Sequence, residues 1–66
     1  MKQKNGYEIG DLIRCWYMSG MGFSFGIGLV IGLEEKYAKV CLQNSGEVVL
    51  IAYRSMYLIT KSDELK

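Results

Sequence analysis

Apolar and polar positions along most of the chain repeat at the two-residue period of strands, in which successive side chains point to opposite faces. Leu12 to Met18 (LIRCWYM) follows a Gly10-Asp11 turn and reads as a first strand, with Ile13, Cys15 and Tyr17 on one face and Arg14 and Trp16 on the other. Ile27 to Glu34 (IGLVIGLE) is a second strand; its Gly28 and Gly32 predict strong curvature or the close approach of another backbone. Tyr37 to Gln43 is a third, setting Ala38, Val40 and Leu42 against Lys39 and Cys41. Asn44-Ser45-Gly46 has the composition of a hairpin turn, leading into a fourth strand, Glu47 to Ala52. Tyr53 to Met56 interrupts the pattern with Arg and Ser and suits one 3₁₀ turn before a short fifth strand, Tyr57 to Thr60.

Between the first two strands lies Ser19 to Gly26 (SGMGFSFG), whose three glycines suit a long loop. Met21, Phe23 and Phe25 are unusually apolar for such a loop. Rings in that position either fold back over the core or mark a binding surface.

The pattern has one competitor. Cys15 to Leu33 carries no charged residue over nineteen positions, close to the length of a membrane-spanning helix. Its glycines and serines dilute the apolar content, however, and no cluster of Lys or Arg flanks one side. The strands after Tyr37 also need partners, because two or three strands alone make a poor domain. Division of the run into strand, loop and strand supplies them. A single membrane span is the least favoured reading.

Composition narrows the function more than the fold. The chain has 66 residues, half of them hydrophobic and 23% charged, which fits one small folded domain. It divides into a flexible arm (1–6), a barrel (7–60) and a polar tail (61–66) expected to fray. Glu8 and Asp11 interrupt the stretch where a secretory signal would need its apolar core. A net charge of +1 gives no global field to attract nucleic acid or an anionic membrane. The absence of His removes the commonest general base and metal ligand, so an enzyme is not expected, nor a cofactor, a metal or a small-molecule substrate. Cys15 and Cys41 stand outside any CxxC pair and read as free strand thiols in a reducing compartment, with a cross-strand disulfide as the alternative.

The assembled pattern resembles the SH3-like barrel superfamily. The resemblance is carried by Tyr-Glu-Ile-Gly-Asp-Leu-Ile-Arg at 7–14, by Gly26-Ile27-Gly28-Leu29-Val30-Ile31, by Lys39-Val40-Cys41-Leu42 with Asn44-Ser45-Gly46, and by the turn before Leu58-Ile59. It is similar in cadence to very short SH3-like proteins of tailed bacteriophages, including those of cyanobacteria, and more distantly to KOW and Tudor-like modules. The resemblance implies an all-β, five-stranded SH3-like barrel with a 3₁₀ turn before its last strand. It further implies a viral structural or assembly protein, in the virion or the host cytoplasm. The first loop lacks the acids on which proline-rich peptide recognition depends.

The reading that follows is a non-enzymatic protein–protein interaction module, its partner a larger protein or further copies of itself. Aromatic, Met and Arg side chains dominate interface cores, so the candidate contacts are Trp16, Met18, Met21, Phe23 and Phe25, with Tyr53, Arg54 and Tyr57 as a second patch. Nucleic-acid binding is the alternative: Trp16 beside Arg14, with Lys39 and Arg54, could stack and neutralise a strand, but the charge balance does not favour it. Accessory subunits of larger complexes use the same barrel and form a third class.

Overall fold

A computed structural model describes residues 3–4, 6–20 and 22–64, and within them the chain is all-β with two 3₁₀ turns. A two-stranded ladder, β1 (Gln3–Lys4) with β2 (Tyr7–Glu8), precedes one five-stranded antiparallel sheet. That sheet contains β3 (Leu12–Ser19), β4 (Gly22–Leu33), β5 (Tyr37–Leu42), β6 (Val48–Ala52) and β7 (Met56–Thr60), in the spatial order β6-β5-β4-β3-β7. Successive strands are neighbours from β3 to β6. The chain then makes a 3₁₀ turn at Tyr53–Ser55 and crosses back, so that β7 pairs with β3 on the opposite edge.

The alternation read from the sequence decides which residues lie inside. Ile13 and Cys15 of β3, Val30 of β4, Ala38, Val40 and Leu42 of β5, Ile51 of β6 and Met56 of β7 form the buried core. Each large aliphatic side chain removed from water contributes about 1.5–3 kcal/mol. Register shifts bend the sheet between Val30 and Gly32 and between Leu12 and Ile13, and β3 comes into contact with β6 although two strands separate them in the ladder order.

Gly28 shows why the second strand needs glycine. A Cβ there would sit 2.6 Å from both the Cys41 carbonyl oxygen and Val40 Cγ1, so a side chain would force β4 and β5 apart.

Three expectations change. Ser19 to Gly26 is not a loop: β3 runs to Ser19, the chain turns, and β4 begins at Gly22, where φ is +108°. Only the turn requires positive φ, while Gly26 and Gly28 lie buried in the strand. In the segment expected to be a flexible arm, Gln3–Lys4 pairs with Tyr7–Glu8. The tail expected to fray forms a second 3₁₀ turn at Ser62–Glu64, tied to Asp11.

Asp11 explains that tie. Its fully buried carboxylate accepts hydrogen bonds from the backbone N–H of Glu8 (2.9 Å) and of Ser62 (2.8 Å), with the Lys61 ammonium 3.6 Å away. Lys61 also donates to the Gly6 carbonyl at 3.0 Å, and so joins the two ends of the described chain. A buried carboxylate satisfied in this way is costly to orphan.

The charge-free run is therefore a β-hairpin rather than a helix, and among the described residues no helix is long and apolar enough to cross a membrane. The cysteines are free and lie on opposite faces of the sheet, Cys15 inward and Cys41 outward, which excludes a disulfide between them.

Candidate functional site

The β3–β4 hairpin has two unlike faces. Inward, Ile13 and Cys15 join the core and Tyr17 packs against it. Outward, the register sets Arg14 opposite Ile27, Trp16 opposite Phe25 and Met18 opposite Phe23. Pairing of β7 with β3 then adds Tyr57 beside Arg14. These positions make one continuous outer surface that the core does not cover: Trp16 is 47% exposed, Phe25 46%, Met18 71% and Phe23 74%.

The rings are ordered against one another and against Arg14. Trp16 and Phe25 meet edge to face, with centroids 4.9 Å apart and planes inclined at 60°. The Arg14 guanidinium lies over the Phe25 ring at 5.0 Å and over the Tyr57 ring at 5.6 Å, within the range of cation–π attraction. Three neighbouring strands, β7, β3 and β4, thus hold a cation between two rings. Among the described residues, no carboxylate forms an ion pair with it. Beside this platform Phe25, Gly26, Ile27, Gln43 and Asn44 line an open depression of about 470 Å³.

Of the residues expected from the sequence, Trp16, Met18, Phe23, Phe25 and Tyr57 come together here. Phe23 and Phe25 stand on the outer face of a strand, exposed or half-exposed, and neither is among the side chains packed against the core. Met21 lies outside the described residues.

The proposed grouping of Tyr53, Arg54 and Tyr57 separates. Tyr53 stacks on Tyr7 with centroids 6.1 Å apart, and its hydroxyl donates to the Glu34 carbonyl. Tyr7 in turn donates to the Met56 carbonyl at 3.0 Å. Burial, followed by the nearby charges of Asp11 and Tyr57, raises the Tyr7 phenol above its ordinary value; burial and then the Glu34 charge do the same for Tyr53. Arg54 is exposed within the 3₁₀ turn, where it shares the rim of a second depression with Lys36, Tyr37, Ala52 and Tyr53.

Sequence reading missed Ile27 as a surface residue and Arg14 as the centre of the platform. The signal for Ile27 was its place between Gly26 and Gly28, which occupy the inward positions of β4. The signal for Arg14 was its position as the sole charge in a strand with aromatic neighbours, but the second ring, Tyr57, is brought in by a pairing between residues 43 positions apart.

The two thiols differ in access. Cys15 is enclosed by the core, and burial raises its pKa, which disfavours the thiolate. Cys41 is half-buried, its Sγ 3.7 Å from the Gly46 carbonyl oxygen.

Comparisons with protein-family models, with curated proteins and with solved structures find no match to this chain.

Proposed function

We propose that this chain is a small SH3-like barrel that acts without catalysis by docking onto a larger protein through the outer face of its β3–β4 hairpin. The observation that carries the proposal is the ordered cluster of exposed Trp16, Phe25, Met18 and Phe23 around Arg14. An apolar surface of this extent costs solubility and adds little to the core, whereas aromatic and Met side chains beside an Arg are the composition of interface centres. The strand order, the 3₁₀ turn before β7 and the contact of β3 with β6 support the barrel class. In the setting implied by the resemblance, a tailed bacteriophage, the larger protein is a virion or assembly component.

Light scattering on the full chain tests the proposal. Exposed rings predict concentration-dependent association without fixed stoichiometry, relieved in a Phe23→Ser/Phe25→Ser variant that keeps its circular dichroism spectrum. A chain that stays monomeric at high concentration and does not respond to the double substitution contradicts the docking face. A variant that loses its fold makes the rings part of the structure.

Single-stranded nucleic acid is the second reading, favoured by Arg14 lying among rings on which bases could stack. Its weakness is charge. Lys39 stands on the same side of the sheet, but on β5, opposite Gly32 and beyond β4. A strong salt-dependent shift of labelled oligothymidine would favour this reading.

A further inference from the structure

The platform carries one formal charge, and that charge determines what can cover it. The Arg14 guanidinium carbon lies over the Phe25 and Tyr57 rings, and among the described residues no hydrogen bond or ion pair occupies its five N–H donors. The surrounding surface, Trp16, Met18, Phe23 and Ile27, is apolar and contributes no acceptor side chain. Face-to-face pairing with a second copy would therefore bring two arginines into an apolar interface with no acid between them, which is strongly unfavourable. The face therefore does not form a defined face-to-face dimer, and the association expected of its exposed rings is loose and without fixed stoichiometry.

Resting on the docking function proposed above, we infer that the occupant is a protein segment in which apolar side chains surround one Asp or Glu, and that this carboxylate takes a bidentate hydrogen-bonded pair from Arg14. The rings position the guanidinium before binding, so little side-chain freedom is lost when the pair forms. Trp16, Phe25 and Met18 provide the apolar contact, and Arg14 provides the choice of partner. Water excluded by the rings strengthens the ion pair and makes an uncharged substitute costly. A phosphodiester strand would also satisfy Arg14, but it would need further cations spaced along its path. None of the positions cross-paired to Arg14, Trp16 or Met18 supplies one.

Selection of a displayed random dodecapeptide library on the immobilised full-length chain tests this, with parallel selections on Arg14→Gln and on Phe23→Ser/Phe25→Ser. The expected peptides are apolar with one acid. Exchanging that acid for its amide should weaken binding at least about tenfold to the parent and change it little for Arg14→Gln. Apolar peptides enriched without an acid, bound equally by parent and Arg14→Gln, would overturn the inference and leave the docking face standing. No enrichment on a folded parent, or enrichment that survives Phe23→Ser/Phe25→Ser, would overturn the docking face and the inference with it. A defined homodimer of the parent that Arg14→Glu leaves intact would make the occupant a second copy, and salt-sensitive oligothymidine binding that needs Arg14 would make it nucleic acid. Either result contradicts the inference.

Discussion

Two aromatic clusters, one of two rings and one of three, occupy this domain and are used in opposite ways. In the first, Tyr7 and Tyr53 stack, and both hydroxyls are committed to backbone carbonyls, those of Met56 and Glu34. In the second, Trp16, Phe25 and Tyr57 surround Arg14 on the outer face, about half-exposed. The first cluster joins distant parts of the chain and serves the fold. The second is arranged just as definitely, yet about half of its surface faces water. Order at an exposed site, unlike order in a core, has no evident use until something covers it.

The contrast fails if substitutions in the two clusters have similar effects on stability. Tyr53→Ala removes a packed ring and a satisfied hydroxyl, and should lower the unfolding free energy by about 2 kcal/mol or more in urea titrations. Phe25→Ala should lose less than about 1 kcal/mol, the range of an exposed cross-strand ring pair.

Tyr7→Phe and Tyr53→Phe take away only a hydroxyl, and each should cost about 1 kcal/mol. They also sharpen the contrast through pH. Both phenols have raised pKa values in the folded chain, so they hold their protons to higher pH than in the unfolded chain. Their contribution is complete below the ordinary phenol value of about 10 and is lost as pH rises through the folded values. Stability measured above pH ~10 should therefore fall with pH, and the Tyr7→Phe/Tyr53→Phe double variant should show a shallower alkaline decline.

Arg14→Gln should change stability by no more than about 0.5–1 kcal/mol, the worth of exposed cation–π contacts, while altering which peptides bind. The smallest effect concerns the thiols: Cys41 should react with an exposed-thiol reagent at least about tenfold faster than Cys15, whose modification should follow the unfolding rate. Equal rates would place Cys15 outside the core.

Much of the fold could be read from alternation alone. Ile13, Cys15 and Tyr17 point inward and Ala38, Val40 and Leu42 are buried, because a period of two leaves little choice once one face meets a core. The β3–β4 connection was harder to read. Glycine marks turns and close approaches alike, and in Ser19 to Gly26 both uses lie within a few residues: Gly22 turns the chain, whereas a Cβ on Gly26 would meet the Tyr17 ring at 3.0 Å.

The candidate site was legible in its composition but not in its grouping. Tyr53 and Tyr57 are close in sequence, and the 3₁₀ turn between them sends one to the Tyr7 cluster and the other to β3. Asp11 gave no warning of its role, because its partners Ser62 and Lys61 arrive from the far end of the chain.

The most direct test of the separation between fold and platform is the unfolding free energy of the Phe23→Ser/Phe25→Ser variant. Two rings that belong to a docking face should together cost less than about 1.5 kcal/mol, the sum of exposed cross-strand contributions, with an unchanged denaturant slope. A loss of about 4 kcal/mol or more, the scale of truncated core side chains, would place both rings in the fold and contradict the account.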